Sequence, residues 1–222
     1  LTGAFDAEVT AEGTDLSANI PELDGLLKGT SRVELSARRD QTGTELRKLT
    51  LAATSLAATA QGRIASSGAD LTADLAFADL SVMGARYGGA LQGKAHLTGT
   101  LTEGAATLDA TGSSLRIGQA EADKLLAGQS NVTLELALKE GAVQVRRAEV
   151  SNAQLQASAA GAISAGVQTL DITARLANLG LILPEFPGPF TVEGNVSQQT
   201  AGTELRLVGK GPGGIDAVLA GR

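Results

Sequence analysis

The sequence predicts an all-β protein built as an elongated, curled antiparallel sheet, a half-pipe with an apolar inner face, and three observations carry that prediction. First, residues 9–91 recur as residues 108–190 at an offset of 99, without a gap, and 21 of the 83 aligned pairs are identical. The kept residues are large aliphatics and glycines, among them Gly13/Gly112, Leu16/Leu115, Val33/Val132, Leu35/Leu134, Gly62/Gly161, Ile64/Ile163 and Leu71/Leu170. What repeats is a surface, not a catalytic grouping. Second, apolar and polar residues alternate with period two in runs separated by turn signals every ~8–12 residues, the spacing of an all-β chain. Third, no segment reads as an amphipathic helix of three turns, and aromatic residues make up only 2%. A thick core usually draws on aromatic area; Leu, Val, Ile and Ala alone suit a thin, extended layer.

Taken in order, residues 1–19 alternate weakly around Phe5, Ala7 and Val9 and break at Gly13. Residues 20–29 are a short non-strand piece. The equivalent stretch, residues 118–128, has early carboxylates, a Leu-Leu pair and a closing Gly, which predicts one or two helical turns or a turn. Strands are expected over Thr30–Ala37, Glu45–Ala53, Leu56–Ile64, Leu71–Leu80 and Leu91–Leu101, with Arg38–Thr44 and Ser66–Gly68 as turns. Thr107–Thr111 leads into the second copy, which repeats the order. Its run Val132, Leu134, Leu136, Leu138 alternates most cleanly of all. Leu183–Phe190 holds three of the five prolines and is therefore a connector or an edge, not a central strand. Thr191–Val196 and Glu204–Val208 close the chain. Each repeat is read as roughly eight to ten strands. Its period exceeds the ~20–50 residues of solenoids, so each unit is a set of hairpins. The chain divides into one β-repeat unit over 1–107 and a second over 108–222, forming one continuous element; repeat-like sequence reaching both ends without capping predicts a piece of a longer protein.

Composition narrows the function. There is no cysteine, which removes disulfide staples and thiolate metal sites. The net charge of −6 argues against nucleic acid, whose phosphates call for concentrated Lys and Arg. No apolar run approaches the ~18 residues of a membrane helix.

A sheet with one apolar face must cover it, which leaves a sandwich, a barrel or a folded half-pipe. Gly62 and Gly161, in phase on equivalent strands, suit bends or bulges that curve a sheet. The phrasing Leu91-Gln92-Gly93, Leu97-Thr98-Gly99-Thr100-Leu101 and Leu115-Arg116-Ile117-Gly118, within Ala/Thr/Gly-rich alternation over the whole chain, resembles the periplasmic β-rich region of the TamB family. These are translocation and assembly module proteins of Gram-negative bacteria, close to the AsmA-like, bridge-like lipid transfer group. The resemblance implies a long, non-enzymatic periplasmic protein with an inner-membrane anchor outside this stretch. It also implies a β-taco groove for phospholipid acyl chains and an Omp85-family (TamA-like) outer-membrane partner met by another part of the chain. The implied role is phospholipid movement from inner to outer membrane, help in outer-membrane protein assembly, or both. A structural or adhesive β-solenoid of a secreted or cell-surface protein, with a closed core, is the alternative.

The candidate lipid-groove residues are the in-phase aliphatics: Val33, Leu35, Leu49, Leu51, Leu71, Leu75, Phe77, Leu97, Val132, Leu134, Leu136, Val143, Val145, Leu170, Ile172, Leu176, Val192, Leu205 and Leu207. In a sheet closed on itself the same residues are core. No cofactor and no metal are expected. His96, the one histidine, lacks the companions of a triad or metal site. Gly209–Gly214 matches G-x-G-x-x-G but carries Pro212 and reads as a turn. Asn131 and Asn195 match the glycosylation acceptor, and Asn131 falls inside a strand. The pairs Arg47-Lys48 and Arg146-Arg147 are either a lip for lipid phosphates or, more simply, a charged strand edge. Asp15, Asp24, Asp70, Asp74 and Asp79 form no calcium loop.

Overall fold

A computed structural model describes residues 3–15, 27, 29–100, 102–164, 167–199 and 202–221. They form one antiparallel sheet of fourteen strands in strict sequence order, curled and unclosed. The strands are β1 (Phe5–Thr14), β2 (Thr30–Asp40), β3 (Gly43–Ala52), β4 (Leu56–Ala65), β5 (Gly68–Phe77), β6 (Gly88–Gly99), β7 (Glu103–Arg116), β8 (Gln129–Lys139), β9 (Ala142–Ser151), β10 (Leu155–Ser164), β11 (Val167–Leu176), β12 (Phe190–Gln199), β13 (Gly202–Lys210) and β14 (Asp216–Gly221). Thirteen gaps of ~4.8 Å give about 60 Å of sheet across the strands. Each strand packs against its sequence neighbours, so the element is quasi-one-dimensional.

The bounds of β2 to β5 and of β8 to β11 coincide at the 99-residue offset. From β2 to β8 there are six strands, not eight to ten. Most run 10–14 residues, well beyond the usual ~5–6. Alternation continues through residues expected as turns: Ala37 pairs with Leu46, Arg39 with Thr44 and Asp40 with Gly43, leaving only Gln41 and Thr42 to reverse the chain. The expected lead-in at Thr107–Thr111 is the middle of β7. β14, after the glycine-rich turn, was not expected. The non-strand piece over 20–29 lies, except for residues 27 and 29, outside the described residues, as do Leu16, Asp24 and Leu101.

The two rims at the strand ends differ. On one, short turns join β2 to β3, β4 to β5, β6 to β7 and β8 to β9. On the other lie longer connections: a 3-10 turn Leu80–Met83, helix α1 (Ala120–Leu125), a 3-10 turn Leu179–Leu181 and a 3-10 turn Pro212–Gly214. The first and third are capped at repeat-equivalent positions. Asp79 Oδ1 accepts from Ser81 N, and Asn178 Oδ1 from Gly180 N, each at 2.9 Å. Pro184, Pro187 and Pro189 lie in the connector before β12, outside any strand. The most buried leucines gather at this long-loop rim: Leu56, Leu125, Leu126, Leu176 and Leu179, each at most 7% exposed. Asn152 fastens it. Its Nδ2 donates to Leu125 O at 2.8 Å and Ser130 Oγ at 2.9 Å, while its Oδ1 accepts from Gln154 N and Leu155 N, both at 2.8 Å. Among the described residues Ser31 and Ser130, equivalent in the two repeats, are the fully buried polar ones.

β3 and β9 carry the same irregularity. Between the pairs Ser36–Lys48 and Ala37–Leu46 one residue, Arg47, is extra. Between Glu135–Arg147 and Leu136–Val145 it is Arg146. Gly62 and Gly161 pair with the residue just before each bulge, Leu46 and Val145, at φ of +142° and +156°. A bulge bends the strand and raises local twist, so the curl recurs with the repeat.

Candidate functional site

Directly paired residues of antiparallel strands share a face, so the register traces rows of side chains across the sheet. One row runs Ala37, Leu46, Gly62, Leu71, Leu97, Ala106, Leu136, Val145, Gly161, Leu170, Val196, Leu205. The next begins at Val9 and passes through Leu35, Leu49, Ala60, Ala73, Ala95, Leu108, Leu134, Ala148, Ala159, Ile172 and Gly194 to Leu207 and Leu219. A third joins Val33, Leu51, Ala58, Leu75, Gly93, Ala110, Val132, Val150, Ala157, Ala174 and Val192. Toward the long-loop rim, Leu56, Phe77 and Leu91 align, as do Leu155, Leu176 and Phe190. Toward the short-turn rim, Leu138, Val143 and Ile163 align. All nineteen aliphatic or aromatic candidates named from the sequence therefore stand on one face.

That face is mostly half-buried, and no second layer of described residues covers it. Leu97 and Val9 remain 48% and 49% exposed. At the short-turn rim the face forms a hollow of about 660 Å³, lined by Ile64, Leu97, Ala106, Leu136, Leu138 and Val143 among others, with Ser66, Thr100 and Thr102 also lining it.

The opposite face is polar and exposed. His96 stands there with its Nε2 2.7 Å from Asp70 Oδ1. Lys94 lies 3.6 Å from Asp74, and Asn195 Nδ2 donates to Asp171 at 3.0 Å. Shallow troughs cross this face, among them two of about 890 and 470 Å³ at repeat-equivalent places. All twelve lining residues of the smaller, from Glu149 to Glu193, match lining residues of the larger, from Thr50 to Lys94, at the 99-residue offset.

The basic pairs are neither a groove lip nor a strand edge, because β3 and β9 are interior strands. The Arg47 guanidinium bonds the Asp6 carboxylate and donates to Ser36 Oγ at 3.0 Å. Lys48 reaches Glu34 at 3.2 Å. Arg147 pairs with Glu149 at 2.6 Å and Glu135 at 3.7 Å. The hydrogen bond from Arg47 holds the Asp6 carboxyl below the ordinary range. Those from Lys48 and then Arg32 do the same for Glu34. Among the described residues no three His, Cys, Asp or Glu side chains gather as a metal site. After Gly209–Gly214 comes β14, not the helix a dinucleotide fingerprint needs.

The described residues thus form an open, single-layer antiparallel sheet with one apolar face repeated along its length. A family model described as "TamB, N-terminal domain" matches residues 1–183, and the chain belongs to the TamB family. No curated protein and no solved structure matches it.

Proposed function

We propose that the apolar face is a segment of a periplasmic groove that carries phospholipid acyl chains between the inner and outer membranes, assists outer-membrane protein assembly, or does both. The single observation behind this reading is the run of apolar rows from β1 to β14 with no layer of described residues over it. A face of aliphatic side chains offers area and no pattern of donors and acceptors, so binding is hydrophobic and hardly selective. Each acyl methylene removed from water contributes about 0.8 kcal/mol. On this reading the protein is not an enzyme and takes no cofactor. Its inner-membrane anchor and its contact with an Omp85-family, TamA-like partner lie in other parts of the full-length protein. Among the described residues no helix is long and apolar enough to cross a membrane.

The test is native mass spectrometry with lipid extraction on the purified chain. Phospholipid is expected to co-purify, and Leu136→Asp or Leu75→Asp, each placing a carboxylate in the middle of a row, to remove it while the far-UV circular dichroism stays that of a β sheet. A lipid-free wild-type chain, or variants that keep their lipid, would overturn the reading.

A further inference from the structure

Among the residues that the register places on the apolar face, one carries a charge. Arg39 pairs with Thr44 in the row nearest the short-turn rim, in the same phase along β2 as Ala37, Leu35 and Val33. Its Nη1 donates to Thr44 Oγ1 at 3.3 Å. The nearby carboxylates, Asp40 and Glu45, stand in the opposite phase, and Asp40 is engaged with Thr42. At the equivalent positions of the second repeat the pair is Leu138 and Val143. A cation and a hydroxyl thus replace two aliphatics at one place on the face.

The surroundings give this exception a direction. Beneath Arg39 and Thr44 lie the apolar cross-strand pairs Ala37–Leu46, Leu35–Leu49 and Val33–Leu51. Six residues of strand cover about 20 Å, more than half of a ~30 Å bilayer core, and so more than the depth one acyl tail occupies there. On the other side, the cross-strand partner of Thr44 is Ile64, which lines the apolar hollow. The short-turn rim beside Arg39 carries only the exposed Gln41 and Thr42, whereas α1 and the 3-10 turns all lie on the opposite rim, after β5, β7, β11 and β13, so the short-turn rim is where a polar headgroup meets water.

We infer, resting on the proposed groove, that Arg39 with Thr44 is an anchoring point for the phosphodiester of a lipid whose tails lie along β2 and β3. A guanidinium offers two parallel donors that match two phosphate oxygens, and the Thr44 hydroxyl is placed to supply a third. The site selects an anionic phosphate at the rim, while the tails contribute unselective area.

The experiment compares binding of two fluorescent probes with the same tails, phosphatidylglycerol and diacylglycerol, to the wild-type chain, Arg39→Gln and Arg39→Lys. Arg39→Gln is expected to weaken phosphatidylglycerol at least about tenfold, the size of a lost charge-assisted hydrogen bond. It should leave diacylglycerol unchanged, with Arg39→Lys intermediate. Inorganic phosphate at millimolar concentration should not displace the lipid; if it does so completely, the site is one for free phosphate and the inference fails. Equal loss of both probes in Arg39→Gln assigns Arg39 a purely structural part and also overturns it. If both probes bind all three chains alike, the groove reading stands and the anchor is wrong. If the wild type binds neither probe, the groove reading fails and takes the anchor with it.

Discussion

Replacing Gly62 with alanine should cost more than making the same change at Gly202, although the two backbones are alike. Their φ angles are +142° and +144°, a region that an L-residue enters at about 1–3 kcal/mol of strain. What differs is the space. A Cβ at Gly202 meets no atom of the described residues within 4 Å, whereas one at Gly62 falls inside van der Waals distance of the Asp70 carbonyl oxygen and lies 2.9 Å from Leu71 Cα. Both obstacles are backbone of the neighbouring strand. They cannot retreat without disturbing the pairs Gly62–Leu71 and Arg63–Asp70. Overpacking of that kind adds about 1–3 kcal/mol, so Gly62→Ala should lose about 2–6 kcal/mol against about 1–3 for Gly202→Ala. Urea unfolding with the slope monitored reads the difference. Amide exchange should locate the Gly62→Ala damage in β3 to β6, because each strand leans only on its neighbours. Equal midpoint shifts in the two variants would refute the claim that close strand approach, and not φ alone, requires glycine beside the bulge.

Two further outcomes follow from single contacts. Asn152→Ala leaves Leu125 O and two backbone N–H groups of the β9–β10 turn without their partner, and should destabilise the second repeat by about 1–3 kcal/mol in the same unfolding assay, with faster amide exchange in α1. The Asp6 and Glu34 carboxyls are held below their ordinary 3.8 and 4.5 by hydrogen bonds from Arg47 and Lys48 respectively. The unfolded chain therefore binds more protons at acid pH. The contribution of these pairs is complete above about pH 5 and is lost as the pH falls through the lowered values. Asp6 is exposed and Glu34 only half-buried, so the urea midpoint should drop only modestly between pH 6 and pH 3, less so in Arg47→Gln and less so at high salt.

Much of the site was legible because alternation is a local property. Val33, Leu35, Leu134 and Leu136 announce their common face without any knowledge of what pairs with them. The repeat adds that equivalent strands present equivalent faces. Strand length was less legible. Arg38-Arg39-Asp40-Gln41-Thr42 looks like a polar turn, yet only Gln41 and Thr42 turn, with Asp40 Oδ1 bonding Thr42 N at 2.7 Å. Reading that stretch as a turn also hid Arg39, whose place on the apolar face depends on β2 running three residues further. The bulges at Arg47 and Arg146 were invisible for a related reason: an extra residue is defined only against a partner strand. Closure lay beyond reach too. Whether β1 meets β14 depends on accumulated twist and bulges across fourteen strands, and no window of sequence records that sum.

The rows are not uniform in depth, and their composition bears on how a chain could be held yet move. Across β4 to β6 the middle row is Ala60, Ala73 and Ala95, while the flanking rows carry Leu71, Leu97 and Leu75. Small residues between larger ones lower the middle row across these three strands without breaking its apolar character. A tail lying there exchanges one set of methyl contacts for a similar set on each step of ~4.8 Å to the next strand. Neighbouring positions then differ little in free energy, because hydrophobic contact is non-directional and scales with area. Directional groups on that face would create deep wells. Among the described residues the register places one charge on that face, Arg39, at the rim and away from these rows. On the proposed reading, a headgroup held at Arg39 would leave the apolar rows continuous beneath it, so one selective contact and an unselective track would coexist on the same sheet.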